Sequence, residues 1–134
     1  MHQPNGESFV SIVDDDPGIC VALKALMRSA GLAAEAFLSA EDFLASGKLA
    51  QTACLVLDMQ LPGMSGLELQ AQLAAAGARV PIVFITAHEQ EDKQAAAIQL
   101  GAAAFLSKPL CRGVLLQCVL GIINSSHWEG EWES

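Results

Sequence analysis

Three aspartates in a row, Asp14, Asp15 and Asp16, stand directly after the apolar run Phe9 to Val13 and directly before Pro17. Helix capping ahead of a proline accounts for one of them, and would use Asp15 or Asp16. It does not account for all three. Carboxylates within about 4 Å of one another repel by roughly 1 kcal/mol per pair in water, and by several times that when partly buried, so such a cluster calls for a cation. Hard oxygen donors with room left for water favour Mg²⁺.

A fourth acid, Asp58, closes the run Cys54 to Leu57. An aspartate at the end of an apolar run is commonly a turn former. Placed beside the first cluster, it becomes a carboxylate nucleophile, able to attack phosphorus once a metal neutralises both groups. Thr86 follows the run Ile82 to Ile85, and Lys108 follows Ala103 to Leu106 and Ser107. Their hydroxyl and ammonium groups are the kind that stabilise the oxygens of a phosphoryl group in transfer.

All of these residues sit just beyond short apolar runs, which points to the elements that must position them. The runs Phe9 to Val13, Leu32 to Phe37, Cys54 to Leu57, Ile82 to Ile85 and Ala103 to Leu106 are strand-like, and their starts are spaced by about one βα unit. The pattern is (βα)₅ with parallel strands, and in an open parallel sheet ligands bind outside the carboxyl ends of the strands. The first intervening helix starts at Pro17, repeats apolar residues at Ile19, Leu23, Leu26, Met27 and Ala30, and stops at Gly31. Ser39 with Asp42 and, more fully, Ser65 with Glu68 read as caps of the second and third helices, with Gly77 ending the third and Gly101 the fourth. The last helix carries two adjacent stripes, Leu115, Cys118, Val119, Ile122 and Leu116, Leu120, Ile123. The second stripe either widens the core contact or forms a partner surface.

Length and composition are compatible with that frame. At 134 residues, 52% hydrophobic and 16% charged, the chain has room for one well-buried core, expected over 1–124, followed by a polar, acidic tail or linker stub over 125–134. Lys and Arg number 7 against 15 Asp and Glu, for a net charge of -8, and no basic stripe is present. That argues against direct nucleic-acid binding. The four cysteines form no C-x-x-C pair and lie in apolar runs, as buried, reduced thiols of the cytoplasm do. The start MHQPNGESF lacks a signal-peptide pattern, and Val114 to Ile123 is too short to span a bilayer.

Taken in order, Val13-Asp14-Asp15-Asp16, Leu57 through Gly66 (LDMQLPGMSG), Ile85-Thr86-Ala87 and Phe105-Leu106-Ser107-Lys108-Pro109 resemble the motifs of response-regulator receiver domains of two-component systems, over essentially all of residues 8 to 124. The resemblance implies a flavodoxin-like, doubly wound α/β fold with a five-stranded parallel sheet in the order 2-1-3-4-5. It implies that Asp58 is the phosphoacceptor, that Asp15, Asp58 and the Gln60 backbone carbonyl bind Mg²⁺, and that Asp14 acts mainly through a bound water. Lys108 would pair with the acceptor carboxylate or phosphoryl group, and the Lys108-Pro109 bond would be cis. Thr86 and Phe105 would form the switch that remodels the face of the fourth helix, fifth strand and fifth helix, with Phe105 lacking a tyrosine hydroxyl. Gln60 and His88 would flank the entrance and tune how fast the acyl phosphate hydrolyses.

The implied partner is a sensor histidine kinase or phosphotransfer protein, with a homodimer possible on phosphorylation and no membrane partner. The wording Ala40-Glu41-Asp42-Phe43-Leu44 and Val80 through Thr86 resembles receivers that precede a LuxR-type helix-turn-helix domain, which would make the output transcription regulation through a DNA-binding domain outside this chain. The alternatives are a stand-alone receiver acting by docking and a metal-dependent phosphatase. The phosphatase would ordinarily want an acid where Gln60 stands. An FMN carrier on the same architecture would have its phosphate repelled by Asp14 to Asp16. A receiver is not an enzyme in the usual sense, catalysing only its own phosphorylation and dephosphorylation.

Overall fold

The computed structural model describes residues 8–87 and 91–132, and the backbone alone at 91–92 and 125–132. Short, largely apolar runs, β-branched in the three central strands, form β1 (Phe9–Val13), β2 (Ala34–Phe37), β3 (Thr52–Asp58), β4 (Ile82–Thr86) and β5 (Ala104–Ser107). The helices α1 (Pro17–Ser29), α2 (Ala40–Ser46), α3 (Gly66–Ala75), α4 (Glu91–Gln99) and α5 (Arg112–Trp132) alternate with them. All strand pairs are parallel, in the order β2-β1-β3-β4-β5, the arrangement expected from the sequence. Among the described residues, no helix is long and apolar enough to cross a membrane.

Side chains alternate across the sheet, and each face is covered. Val10, Ile12, Cys54, Val56, Val83 and Ile85 pack with Cys20, Leu23 and Met27 of α1 and Leu115 and Val119 of α5. Val13, Leu55, Leu57, Ile82 and Phe84 face the other way, onto Phe43 of α2, Leu69 and Leu73 of α3 and Ala97 of α4. Truncating a fully buried side chain such as Leu57 to alanine in a core of this kind costs about 2–5 kcal/mol. The central strands are therefore buried on both sides, and their ends cannot drift independently.

Helix ends are set by local chemistry. Asp16 is the N-cap of α1, its carboxylate accepting from the backbone N–H groups of Gly18 and Ile19, so of the two candidates it is Asp16 that caps. Ser65 and Glu68 form a reciprocal capping box on α3, and Ser39 caps α2 by accepting from the Asp42 N–H. At the end of α1, Gly31 takes φ +82°, its N–H donates to Arg28 O, and the Leu32 N–H donates back to Met27 O. This Schellman closure keeps Leu32 with the helix, which is why β2 starts at Ala34 and not at Leu32.

Two other expectations need correction. Cys111 is exposed, because it lies in the turn between Pro109 and α5 and not inside the helix; the described thiols are all free. The helix of α5 also continues beyond Asn124, where the apolar pattern stops, to Trp132. No proline intervenes there, and backbone hydrogen bonding does not need an apolar face to propagate. In the second stripe of α5, Leu116 and Ile123 pack against the core that Leu115 and Val119 enter, so these two residues widen the core contact.

Gly66 is closely packed against backbone near the acidic rim. A Cβ there would stand 2.6 Å from the Asp58 carbonyl oxygen and 2.9 Å from Met59 Cα, both backbone atoms. Gly66→Ala should therefore destabilise by roughly 1–3 kcal/mol, whereas Gly121→Ala, in open space on α5, should stabilise by about 0.5–1 kcal/mol. Urea denaturation of the two variants checks the contrast; equal effects would refute it.

Candidate functional site

Strand register assembles the rim. Val13 pairs with Leu57, Asp58 with Ile85, and Thr86 with Ser107, so the residues that follow β1 and those that end β3, β4 and β5 arrive side by side. The Asp14 N–H donates to Phe37 O, the Met59 N–H to Ile85 O and the Lys108 N–H to Thr86 O, which carries the sheet's order one step past its strands. Asp14, Asp58 and Thr86 are 2%, 5% and 1% exposed, and Asp15 is open to solvent.

Carboxylate oxygens of Asp14, Asp15 and Asp58 all lie within 4.8 Å of one another, close enough to share one cation. Among the described residues only oxygen donors converge, and they leave an exposed side at Asp15, which fits a hard cation that keeps part of its water. Asp58 is held at both oxygens. Its Oδ1 accepts from the Gln60 N–H at 2.9 Å, and its Oδ2 lies 3.4 Å from the Lys108 ammonium. The Lys108-Pro109 bond is cis.

Asp14 is anchored from two sides. Its Oδ1 accepts from the Asp16 N–H at 2.9 Å, and its backbone carbonyl accepts from the Cys20 thiol of α1 at 3.3 Å. A cavity of about 290 Å³ lies beside it, lined by Ile19, Leu23, Ile85, Pro109 and Leu110 together with Lys108 and Arg112. Burial is the main reason its carboxyl is pushed up to about 6, and the negative charges of Asp58 and Asp15 add to it. The Asp16 N–H and the Lys108 ammonium pull the other way without compensating.

The remaining predicted residues are placed as follows. Thr86 ends β4 with its side chain buried at the rim. Phe105 is half-buried and stacks on Phe84, its partner in the β4–β5 register, with ring centroids 5.5 Å apart and an interplanar angle of 12°. The Gln60 side chain is exposed, and its backbone is the part tied to Asp58. His88 lies outside the described residues. Sequence reasoning passed over two contacts, the Cys20 thiol on Asp14 and the Glu41 carboxylate, which accepts from the Met64 N–H at 2.9 Å. A cysteine in an apolar stripe carries no signal for the first; the Ala40-Glu41-Asp42 wording was the visible trace of the second.

The raised Asp14 carboxyl has a pH consequence. Between its ordinary value of 3.8 and about 6, the folded metal-free protein holds a proton that the unfolded chain releases. Stability therefore falls as pH rises through that window, and the penalty is fully present above it. Asp14→Asn, which keeps the acceptor for the Asp16 N–H, should melt higher than the parent in EDTA at neutral pH, with the gain shrinking toward the acid end of the window. Thermal melts across that range test this; a pH-independent difference would contradict it.

The response regulator receiver domain pattern matches residues 10–120. The chain is 39% identical over 118 residues to the response regulator protein TodT of Pseudomonas putida, covering 88% of this chain and 52% of TodT. It is 36% identical over 124 residues to the transcriptional regulatory protein FixJ of Azorhizobium caulinodans, covering 92% of this chain and 59% of FixJ. The chain thus spans a little over half the length of these relatives. The solved structure of the response regulator StyR superposes with a TM-score of 0.85 at 40% identity, covering 95% of this chain and 64% of that one. With the acidic rim, the flavodoxin-like fold and the matched span in agreement, the chain belongs to the response regulator receiver domain family of two-component signalling.

Proposed function

We propose that this domain switches by accepting a phosphoryl group on Asp58 from the phosphohistidine of a sensor histidine kinase or phosphotransfer protein. The observation that carries this reading is the convergence of three carboxylates within 4.8 Å of one another, with Lys108 reaching Asp58 from β5. Asp15, Asp58 and the Gln60 carbonyl would hold Mg²⁺, with Asp14 acting through a coordinated water. When bound, Mg²⁺ neutralises the negative charge shared by the acceptor and the incoming phosphoryl oxygens.

The chain's own residues supply the rest. An Asp58 carboxylate oxygen attacks phosphorus, the phosphorus–nitrogen bond of the donor breaks, and the imidazole leaves with its electron pair. Asp58 is already oriented by the Gln60 N–H, so little reorganisation is needed before attack. The Lys108 ammonium and the Thr86 hydroxyl stabilise the transferred oxygens. Recruiting Thr86 to the phosphoryl group draws on β4, and Phe105 then leaves its stack on Phe84 and turns inward, remodelling the face of α4, β5 and α5. Without a tyrosine hydroxyl, Phe105 does this through packing alone. Gln60 and His88 would set the rate at which water removes the phosphoryl group.

The output we assign is transcription regulation through a DNA-binding domain joined beyond residue 124, with residues 1–124 as the receiver proper and 125–134 as the start of the connection. The greater length of TodT and FixJ, and the regulatory role in FixJ's name, support this. The domain would work in the cytoplasm, catalyse only its own phosphorylation and hydrolysis, and dimerise on phosphorylation. Its charge of -8 leaves the reading of DNA to the other domain.

A small phosphodonor with Mg²⁺ should add one phosphoryl group, read by intact mass, and Asp58→Ala should add none. Lys108→Ala should still be phosphorylated, but roughly 10²-fold more slowly, as expected for loss of one stabilising group. No mass gain in the parent, or a gain that survives Asp58→Ala, would overturn the assignment.

A further inference from the structure

The segment from Asp58 to Gly66 is a loop closed on itself at its base. The Gly66 N–H donates to Met59 O at 3.1 Å, and the Gln60 N–H donates to Asp58 Oδ1. Its crown, Gly63 and Met64, is held from a different element. Glu41, in the first turn of α2, reaches across so that its Oε2 accepts from the Met64 N–H at 2.9 Å. The same oxygen fills the space beside Gly63, where a Cβ would stand 2.6 Å from it. Gly63 has φ +73°, so the backbone turns left-handed at the point where the carboxylate packs.

We infer that Glu41 is a positioning residue for the phosphorylation site, a strap from α2 that orders the β3–α3 loop and with it the Gln60 carbonyl. The inference rests on the reading of Asp58, Asp15 and Gln60 given above. Gln60 lies between the two anchors of the loop, Asp58 at its base and Met64 at its crown, so both must be fixed for its carbonyl to be aimed. The strap accepts a charge-assisted bond, which holds the Glu41 carboxyl below its ordinary range, chiefly through the Met64 N–H. Because Glu41 is exposed, its bond adds little to global stability; its effect is local, on the order of the loop. Partners that orient metal ligands without touching the metal act in this way.

The test compares the parent chain with Glu41→Ala and Glu41→Gln. Three measurements apply to each: Mg²⁺ affinity by titration calorimetry, the rate of Asp58 phosphorylation by a small phosphodonor, and urea stability in EDTA. Glu41→Ala should weaken Mg²⁺ binding roughly two- to tenfold, the range of one net hydrogen bond. Its phosphorylation should slow at limiting Mg²⁺ and recover at saturation, with urea stability close to that of the parent. Glu41→Gln, which keeps an oxygen for the Met64 N–H, should behave like the parent. A parent that takes up the phosphoryl group while Glu41→Ala binds Mg²⁺ equally well overturns the strap alone, as does a Glu41→Gln variant as weak as Glu41→Ala. A parent that takes up no phosphoryl group overturns the reading of the site itself, and the strap with it.

Discussion

Electrostatic repulsion among Asp14, Asp15 and Asp58 is the constraint around which this molecule is organised. Three carboxylates whose oxygens approach within 4.8 Å, two of them buried, are a standing cost in the metal-free fold. The carboxyl of Asp14 is raised chiefly by its burial, and the charges of Asp58 and Asp15 add to it. Lys108 offsets part of it from 3.4 Å, but its side chain is one-third exposed and only one of the three acids is paired with it. Among the described residues, no other side-chain cation is paired with these acids. The proposed function would draw on this deficit of positive charge, with the site taking first a cation and then a phosphoryl group, whose oxygens repeat the problem.

Everything near the rim serves to keep those charges together against their preference to separate. The sheet does most of this, because strands buried on both faces cannot slip by one residue without turning their apolar side chains to the wrong layer. Fixed register in β1, β3, β4 and β5 therefore fixes the relative heights of Asp14, Asp58, Thr86 and Lys108. Backbone donors then orient the acids individually, from Asp16 to Asp14 and from Gln60 to Asp58. Gly66 lets α3 begin directly against the Asp58 carbonyl, and the loop folds back at that point.

The edge of the sheet, where the proposed switch would act, is built with less restraint than the site itself. β4 is buried throughout and β3 everywhere but Ala53, whereas β5 at the sheet edge is half-buried over Ala104 to Leu106 and exposed at Ser107. Phe105 rests on Phe84 in a stack and is not enclosed. A stacked aromatic on an edge strand can exchange one packing for another at small cost, while a fully enclosed one cannot. The acids thus stand on the stiff centre of the sheet, and the proposed movement would fall on its edge.

Much of this was legible in the residues alone, for a physical reason: strand-end acids, caps and helix-ending glycines act through neighbours within a few positions. The runs that became β1 to β5, the Ser65–Glu68 capping box and the stops at Gly31, Gly77 and Gly101 are local statements, and so is the clustering of acids after the first run. Tertiary structure decided what depends on distant neighbours. It selected Asp16 as the cap, so that Asp14 is buried and Asp15 faces solvent, a division that three adjacent identical residues cannot express. It extended α5 to Trp132 and exposed Cys111. It set the Cys20 thiol on the Asp14 carbonyl and the Glu41 carboxylate on the crown of the β3–α3 loop. The acids themselves were written in the sequence; how far apart they stand, and what holds them there, follows only from the register of four strands that meet at one edge.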